Sequence, residues 1–397
     1  MRLRAESRVS LVMQKAPRIA MVAGETSGDL LARLLLDGMR DLWPDLAAFG
    51  IGGPQMQARG FDAWWPSERL AVHGYSAELA GRLIELVRMR RTLKRRLLGQ
   101  PPSLFIGVDA PDFNLALEAD LRAAGVRTVH FVCPSIWAWR ANRVEKIRRA
   151  ADHVLCIFPF EPALLAQYGI AATYVGHPIA AMIAQKPDRQ AARQQLDLPQ
   201  DGQVLAILPG SRSAEIQYIA PTFFQAAALI KQALPAIKMI VPAVPMQRQR
   251  LEVMARACGV QDFVKIVSGQ SHAVLAACDT TLIASGTATL EAALFKRPMV
   301  IGYRMRPLSW RLMQRKQLQP WVGLPNILCQ EFVVPELIQD DCTPQALAAA
   351  ALDWLAACQT DTGRIAALEQ RFTQLHQTLT RNTSELASDA IRRVLCA

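Results

Sequence analysis

Short apolar runs alternate along this chain with longer stretches in which apolar residues recur every three or four positions. In the first half the runs lie at 18–23, 47–51, 104–108, 128–132 and 153–158. The run at 18–23 passes through Gly24-Glu25-Thr26-Ser27-Gly28-Asp29 into a helical pattern that reaches Met39. The run at 104–108 passes into Asp109-Ala110-Pro111-Asp112, and Tyr174-Val175-Gly176-His177-Pro178 closes the series. Strand-length runs followed by helical periods predict a parallel sheet covered on both faces.

The second half repeats the plan. A run at 204–208 leads into Pro209-Gly210-Ser211-Arg212, a helix follows over about 216–233, and further runs lie at 238–241, 263–267, 281–284 and 298–303. Residues 345–357 and 364–395 read as helical throughout. The polar stretch 185–203, with Pro187 and Pro199, reads as a connection holding one short helix. The expected fold is α/β: two doubly wound, Rossmann-like domains, 17–184 and 204–345, and a helical segment 346–397 that crosses back or is swapped in a dimer. Ligands of such sheets bind outside the carboxyl ends of the strands. The polar loops lie at those ends, so the predicted site is a cleft between the sheets.

Composition supports this picture. A chain of 397 residues with 51% hydrophobic and 20% charged residues exceeds what one core holds and fits a two-domain globular protein. No stretch is long and apolar enough to span a bilayer. The first seventeen residues carry Arg2, Arg4, Arg8 and Lys15 without an apolar centre, and read as a ragged leader rather than a secretory signal. Eight scattered cysteines form no C-x-x-C pair, as expected of reduced thiols in a cytoplasmic protein. Six histidines show no metal-ligand spacing, so no metal and no cofactor are expected. The net charge of +11 favours anionic partners, whether phosphorylated substrates, a phospholipid surface or nucleic acid. No nucleic-acid module accompanies it.

The segment Leu282-Ile-Ala-Ser-Gly-Thr-Ala-Thr-Leu-Glu291 carries the sharpest chemistry. Small residues where a strand turns into a helix let a ligand approach free backbone N–H groups at the positive end of the helix dipole. Ser285, Gly286 and Thr287 therefore suit phosphate. Glu291, further along, can accept from ribose hydroxyls, an acceptor-only role. The structural alternative is a capped helix with Glu291 on a solvated face. By the same argument Gly24, Glu25, Thr26 and Ser27 form an anion site, or else Ser27 or Asp29 caps the helix.

Taken in order, Val22-Ala-Gly-Glu-Thr-Ser-Gly-Asp29, Gly107-Val-Asp-Ala-Pro-Asp-Phe-Asn114, Pro134-Ser-Ile-Trp-Ala-Trp-Arg140, Leu208-Pro-Gly-Ser-Arg212, Ser285-Gly-Thr-Ala-Thr-Leu-Glu291 and Leu324-Pro-Asn326 make a specific series. Each motif alone is weak. Together, from about Pro17 to the C-terminus, the chain resembles the lipid-A-disaccharide synthase family, inverting glycosyltransferases of the GT-B type. The chain departs from that pattern in a longer leader, in Cys133 where serine is common, and in an extra residue within 73–78.

The resemblance implies a reaction and roles. UDP-2,3-diacylglucosamine would be the donor and 2,3-diacylglucosamine 1-phosphate the acceptor. A β-1,6 link would form and UDP leave, without a metal. Asp109 would be the general base, with Asp112 sharing the task, orienting it or capping the next helix. Arg212, after Gly210 and Ser211, would grip the diphosphate. Tyr303 and Asn326 would complete the nucleotide pocket. Thr26 and Ser27 would meet the acceptor's 1-phosphate or the donor phosphates. Trp137, Trp139 and Arg140 would pack on sugar or acyl chains, unless the tryptophans are core.

Over 78–98 an apolar stripe faces a basic remainder that includes Arg88, Arg91, Arg95 and Arg96, and 304–316 mixes the same types. Such helices face a core, or lie on an anionic membrane surface. The expected partners are the two lipid substrates and the cytoplasmic face of the inner membrane, with no nucleic acid. The resemblance also suggests a homodimer. The rival readings are a UDP-sugar 2-epimerase and a non-catalytic sugar-nucleotide or membrane-binding protein.

Overall fold

The computed structural model describes residues 16–70, 76–138, 143–314 and 318–397. Two compact α/β units account for them.

The first unit carries β1 (Arg18–Ala23), β2 (Ala47–Gly52), β3 (Asp62–Pro66), β4 (Leu104–Val108), β5 (Arg127–Phe131), β6 (His153–Cys156) and β7 (Ala172–Tyr174). They form one parallel sheet in the order β3-β2-β1-β4-β5-β6-β7. Helices Ser76–Gly99 and Pro111–Ala123 cover one face. Met89, Leu93 and Leu97 of the former and Phe113, Leu117 and Leu121 of the latter recur every four residues. That spacing sets each trio on one side of its helix, packed with Val22, Ile51 and Phe105. Arg96, on the outer side, lies over the Trp64 ring at 3.5 Å from its centroid.

The second unit carries β8 (Val204–Leu208), β9 (Lys238–Ala243), β10 (Val264–Ser268), β11 (Thr280–Ala284), β12 (Met299–Tyr303) and β13 (Glu336–Ile338), again all parallel, in the order β10-β9-β8-β11-β12-β13. The sequence pattern missed β3, β7 and β13. Each is an edge strand, short or half-exposed, so it lacks a continuous apolar run.

One segment departs from its expected place. The stretch 185–203 is no free connection, because the units divide between Pro178 and Ile179. Its helix Arg189–Gln195 carries Arg193, only 1% exposed, into the second unit. The Arg193 guanidinium donates to the carbonyls of Ala277, Pro199, Gln200 and Gly202 and pairs with Asp279. A buried arginine is stable only when its donors are met in this way. The helical tail also splits. Pro344–Thr360 and Thr362–Leu379 belong to the second unit, whereas Thr383–Cys396 belongs to the first. There Ser384 Oγ donates to the Leu34 carbonyl of the helix Glu25–Leu42 at 2.9 Å.

Among the described residues no helix is long and apolar enough to cross a membrane, and no three His, Cys, Asp or Glu side chains group so as to hold a metal ion. All eight cysteines are unbonded. Cys133, Cys156, Cys278 and Cys342 are buried and Cys396 is exposed.

Candidate active site

In each sheet the strand order reverses direction at one place, between β1 and β4 in the first unit and between β8 and β11 in the second. A crevice opens at such a switch point because the flanking loops leave toward opposite faces.

At the first switch point, Ala23 of β1 pairs with Val108 of β4, so the loops after them start side by side. A Cβ on Gly24 would lie 3.2 Å from the Ala110 Cβ. Asp109 and Ala110 both have left-handed backbones, with φ of 52° and 43°. For residues with side chains this costs about 1–3 kcal/mol each and persists only where neighbours enforce it. Here the Asp109 N–H donates to the Phe131 carbonyl at 2.9 Å, and Asn114 Nδ2 donates to the Asp109 carbonyl at 2.8 Å. The Phe113 and Asn114 N–H groups close on the Ala110 carbonyl at 3.0 Å. The Asp109 side chain is left half-exposed on a braced turn.

The helix after this turn begins at Pro111, with Pro at its first position and no side-chain cap. Asp112 is therefore not a cap. Its carboxylate is ion-paired with Arg143, and its side chain remains 84% exposed. The helix after β1 also lacks a side-chain cap. Ser27 is exposed, and the buried Asp29 is turned toward another element. It accepts from the N–H groups of Gly53, Gln55 and Met56, at 3.0, 2.9 and 3.1 Å, and caps the short helix Pro54–Gln57. Gly24 is buried, and the backbones of Glu25 and Thr26 open the long helix.

Two buried ionisable groups on neighbouring elements were missed by sequence reasoning. His130 Nδ1 and Glu118 Oε1 are 2.7 Å apart, and both side chains are 0% exposed. Gly107 of β4 makes room for them, since a Cβ there would lie 2.0 Å from Glu118 Oε1. Burial pushes the Glu118 carboxyl up. Burial pushes the His130 imidazole down, but the charges of Glu118 and Asp109 outweigh it and hold it above the usual histidine range, with Arg143 opposing them.

At the second switch point, Gly210 adopts φ +109° and lets the chain fold over Glu215. Glu215 Oε2 accepts from the N–H groups of Ser211 and Arg212 at 3.3 and 3.4 Å, and its Oε1 lies 3.2 Å from Arg212 Nη1. The Arg212 side chain is otherwise 77% exposed, a cation on a braced stem. Tyr303 is half-buried beside this pair. Burial and then Glu215 push its phenol up, and Arg212 opposes them. Glu215 carried a legible signal: an acid three residues after the position that precedes a helix.

Beyond β11, Gly286 adopts φ +148° and begins the helix Thr287–Leu294 with no side-chain cap, so its first N–H groups face outward with Thr287 exposed. Ser285 Oγ donates to the Val322 carbonyl at 3.2 Å. Glu291 is half-buried and lies 3.4 Å from His272 Nε2, a contact that holds the imidazole above its usual range. Nothing in the local sequence marked His272, which comes from another helix.

Asn326 is fully buried. Its amide donates to the Val334 carbonyl and to Glu336 Oε1, at 2.9 and 2.8 Å, and its Oδ1 accepts from Val334 N at 3.1 Å. Asn326 thus shapes the loop beside Ser285, and its amide is turned inward. Glu336 completes that brace by accepting from Val322 and Gly323 N–H groups, both at 2.8 Å. Trp137 is half-buried and groups with the second unit. Trp139, Arg140 and the stretch 73–75 lie outside the described residues.

Comparison with known proteins adds to this geometry. The profile of the lipid-A-disaccharide synthetase family matches residues 19–391. The chain is 68% identical over 383 residues to the lipid-A-disaccharide synthase of Verminephrobacter eiseniae, covering 96% of this chain and 98% of that one. It is 50% identical over 390 residues to the same enzyme of Bordetella pertussis, covering 95% and 98%. Among solved structures it is similar in fold to the UDP-GlcNAc 2-epimerase of Methanocaldococcus jannaschii in complex with UDP-GlcNAc and UDP. That match has a TM-score of 0.59 at 12% identity and covers 96% and 100% of the two chains. The UDP-GlcNAc 2-epimerase of Neisseria meningitidis bound to UDP-GlcNAc gives a TM-score of 0.57 at 10% identity, covering 96% and 99%. At that identity the epimerases share the fold alone, whereas the sequence match runs through every loop described above, and the chain belongs to the lipid-A-disaccharide synthase family of glycosyltransferases.

Proposed function

We propose that the chain transfers 2,3-diacylglucosamine from its UDP derivative to 2,3-diacylglucosamine 1-phosphate, with Asp109 as general base. The carboxylate takes the proton of the acceptor's 6-hydroxyl as that oxygen bonds to the anomeric carbon of the donor. The bond from that carbon to the phosphate oxygen breaks, and its electron pair leaves with UDP. The configuration inverts and a β-1,6 link results. The observation that carries this reading is the braced, left-handed turn that presents Asp109 at the switch point of the first sheet.

The leaving group takes the second-unit loops. Arg212 supplies a bidentate cation to the diphosphate, and the open N–H groups at Gly286 and Thr287 donate to its oxygens. Glu291 takes the ribose hydroxyls, and Tyr303 lines the pocket. The loop of Gly24, Glu25, Thr26 and Ser27, next to Ala110, receives a phosphate of one substrate. Trp137 and Arg140 contact the sugar or its acyl chains.

The acyl chains bring the enzyme to the cytoplasmic face of the inner membrane as a peripheral protein, and the active form is a homodimer. On the helix Ser76–Gly99, Ile84 and Val87 are exposed among the exposed Arg88, Arg91 and Arg95, the mixture that an anionic lipid surface attracts.

Incubation with both lipid substrates should yield disaccharide 1-phosphate and UDP, and UDP-N-acetylglucosamine alone should not be epimerised. Asp109→Asn should lower kcat by about 10²–10⁴-fold, the worth of a general base, with UDP affinity unchanged. An active Asp109→Asn enzyme would remove the base assignment.

A further inference from the structure

The first unit carries a groove in which a basic wall faces an apolar one. A cavity of about 260 Å³ lies between the helices Pro111–Ala123 and Val144–Ala150. One wall is Leu115, Ala116 and Ala119, whose spacing sets them on one side of their helix. The other wall is Arg143, Lys146 and Arg149, each three residues after the last. A more open hollow of about 580 Å³ continues from Ala119 and Arg149 past Arg122 and Arg148.

Most of these cations are committed within the protein. Arg143 pairs with Asp112, the one acid in the lining of the cavity. Arg122 Nε donates to Asp152 Oδ1 and its Nη1 to the Arg148 carbonyl, both at 2.7 Å. Arg148 is bidentate on Glu145, at 2.9 and 3.0 Å. Lys146 and Arg149 differ from these. Both are exposed, and among the described residues neither has an ion pair or a hydrogen bond. Like charges three residues apart on a helix repel one another, and an anion seated between them relieves that repulsion.

The groove also begins beside the Asp109 turn. Pro111 and Asp112 line its near end, and the three chain steps from Asp109 to Asp112 span at most about 11 Å. The acceptor of the proposed reaction carries its attacking hydroxyl and its phosphate on one hexose, with acyl chains beside them. Its hydroxyl must meet Asp109, so its phosphate falls within one sugar's length of that point.

We propose that this groove is the subsite for the acceptor's phosphate: Lys146 and Arg149 hold the phosphate oxygens, and the wall of Leu115, Ala116 and Ala119 passes under the acylated sugar. Arginine offers a planar fork of donors and lysine a mobile point charge, and both make charge-assisted bonds to phosphate. Arg143 neutralises Asp112, the carboxylate that would otherwise repel the incoming anion. The inference rests on the reading that the acceptor is a phosphorylated, acylated sugar deprotonated by Asp109.

The test uses the full chain in neutral detergent micelles, with the UDP donor and either the acceptor 1-phosphate or the same diacylated sugar without its phosphate. Disaccharide formation by the unaltered enzyme, lost in Asp109→Asn, checks the reaction first. Its absence would refute that reading, and this inference with it. Given the reaction, Lys146→Gln/Arg149→Gln changes two exposed side chains that hold nothing in the fold. It should raise KM for the phosphorylated acceptor by about tenfold or more, the loss of two charge-assisted contacts, with KM for the donor unchanged. With the phosphate-free acceptor the variant and the unaltered enzyme should have the same KM. An unchanged KM for the phosphorylated acceptor, or an equal rise for both acceptors, would overturn the proposal. So would a rise seen only when anionic phospholipid is added to the micelles, which would assign these cations to membrane headgroups.

Discussion

Single residues at this site act by fixing backbone groups in unusual conformations. Gly210 shows this best. Its φ of +109° is open to glycine, and a Cβ would lie 2.8 Å from Glu215 Oε2. Gly210→Ala should therefore push the Glu215 carboxylate off the Ser211 and Arg212 N–H groups. A cost of about 1–2 kcal/mol corresponds to a roughly 5–30-fold loss, which should appear in UDP affinity measured by calorimetry. Unchanged UDP affinity would show that Glu215 does not organise the diphosphate loop. The residue types at both sites were legible, since Asp109, Arg212 and the Ser285–Thr287 turn stand at strand ends. The buried polar groups on neighbouring elements were not. Asn114, Glu118 and His130 look in the sequence like members of an ordinary helix and strand, because a one-dimensional pattern does not say which neighbour a buried polar group will meet.

Helices were placed well by periodicity, but their tertiary work was not. The helix Thr362–Leu379 carries His376, fully buried, whose Nε2 donates to the Ala180 carbonyl at 2.7 Å while Nδ1 accepts from Lys296 Nζ at 2.6 Å. Burial, helped by Lys296, holds His376 below the ordinary histidine value of 6.5, and burial lowers Lys296 to about 8. The unfolded chain therefore binds more protons at His376 than the folded chain does as pH falls below 6.5. The stability contribution is complete above that value and is lost on acidification through it. Denaturation midpoints should fall from pH 7 to pH 5.5, and His376→Gln, which does not titrate, should reduce that slope. An identical slope in the variant would assign the acid sensitivity elsewhere.

At the scale of the molecule, a net charge of +11 is too diffuse to name a partner. Its local arrangement is more specific. Along the helix Ser76–Gly99 one side buries Met89, Leu93 and Leu97 and Arg96 is committed to Trp64, so core and surface functions occupy different faces of one helix. The triple change Arg88→Glu/Arg91→Glu/Arg95→Glu avoids Arg96. It should weaken co-sedimentation with vesicles rich in anionic phospholipid by about tenfold or more, at about 1 kcal/mol per basic residue near the surface. Binding to neutral vesicles should not change. Equal sedimentation with anionic vesicles would exclude this helix as the membrane contact.

The sequence by itself determined the alternation of strand and helix, the two parallel sheets and the polar loops at their strand ends. These are properties of contiguous residues: a period of two or 3.6, a run length, a glycine beside a hydroxyl at a strand end. The tertiary structure alone decided the order of strands, and so which loops meet at a switch point. It also decided that Asn326 turns inward, that Asp29 caps a different helix, and that the last helix returns to the first unit. Each of these depends on contacts between residues far apart in the chain, whose energies local pattern does not encode.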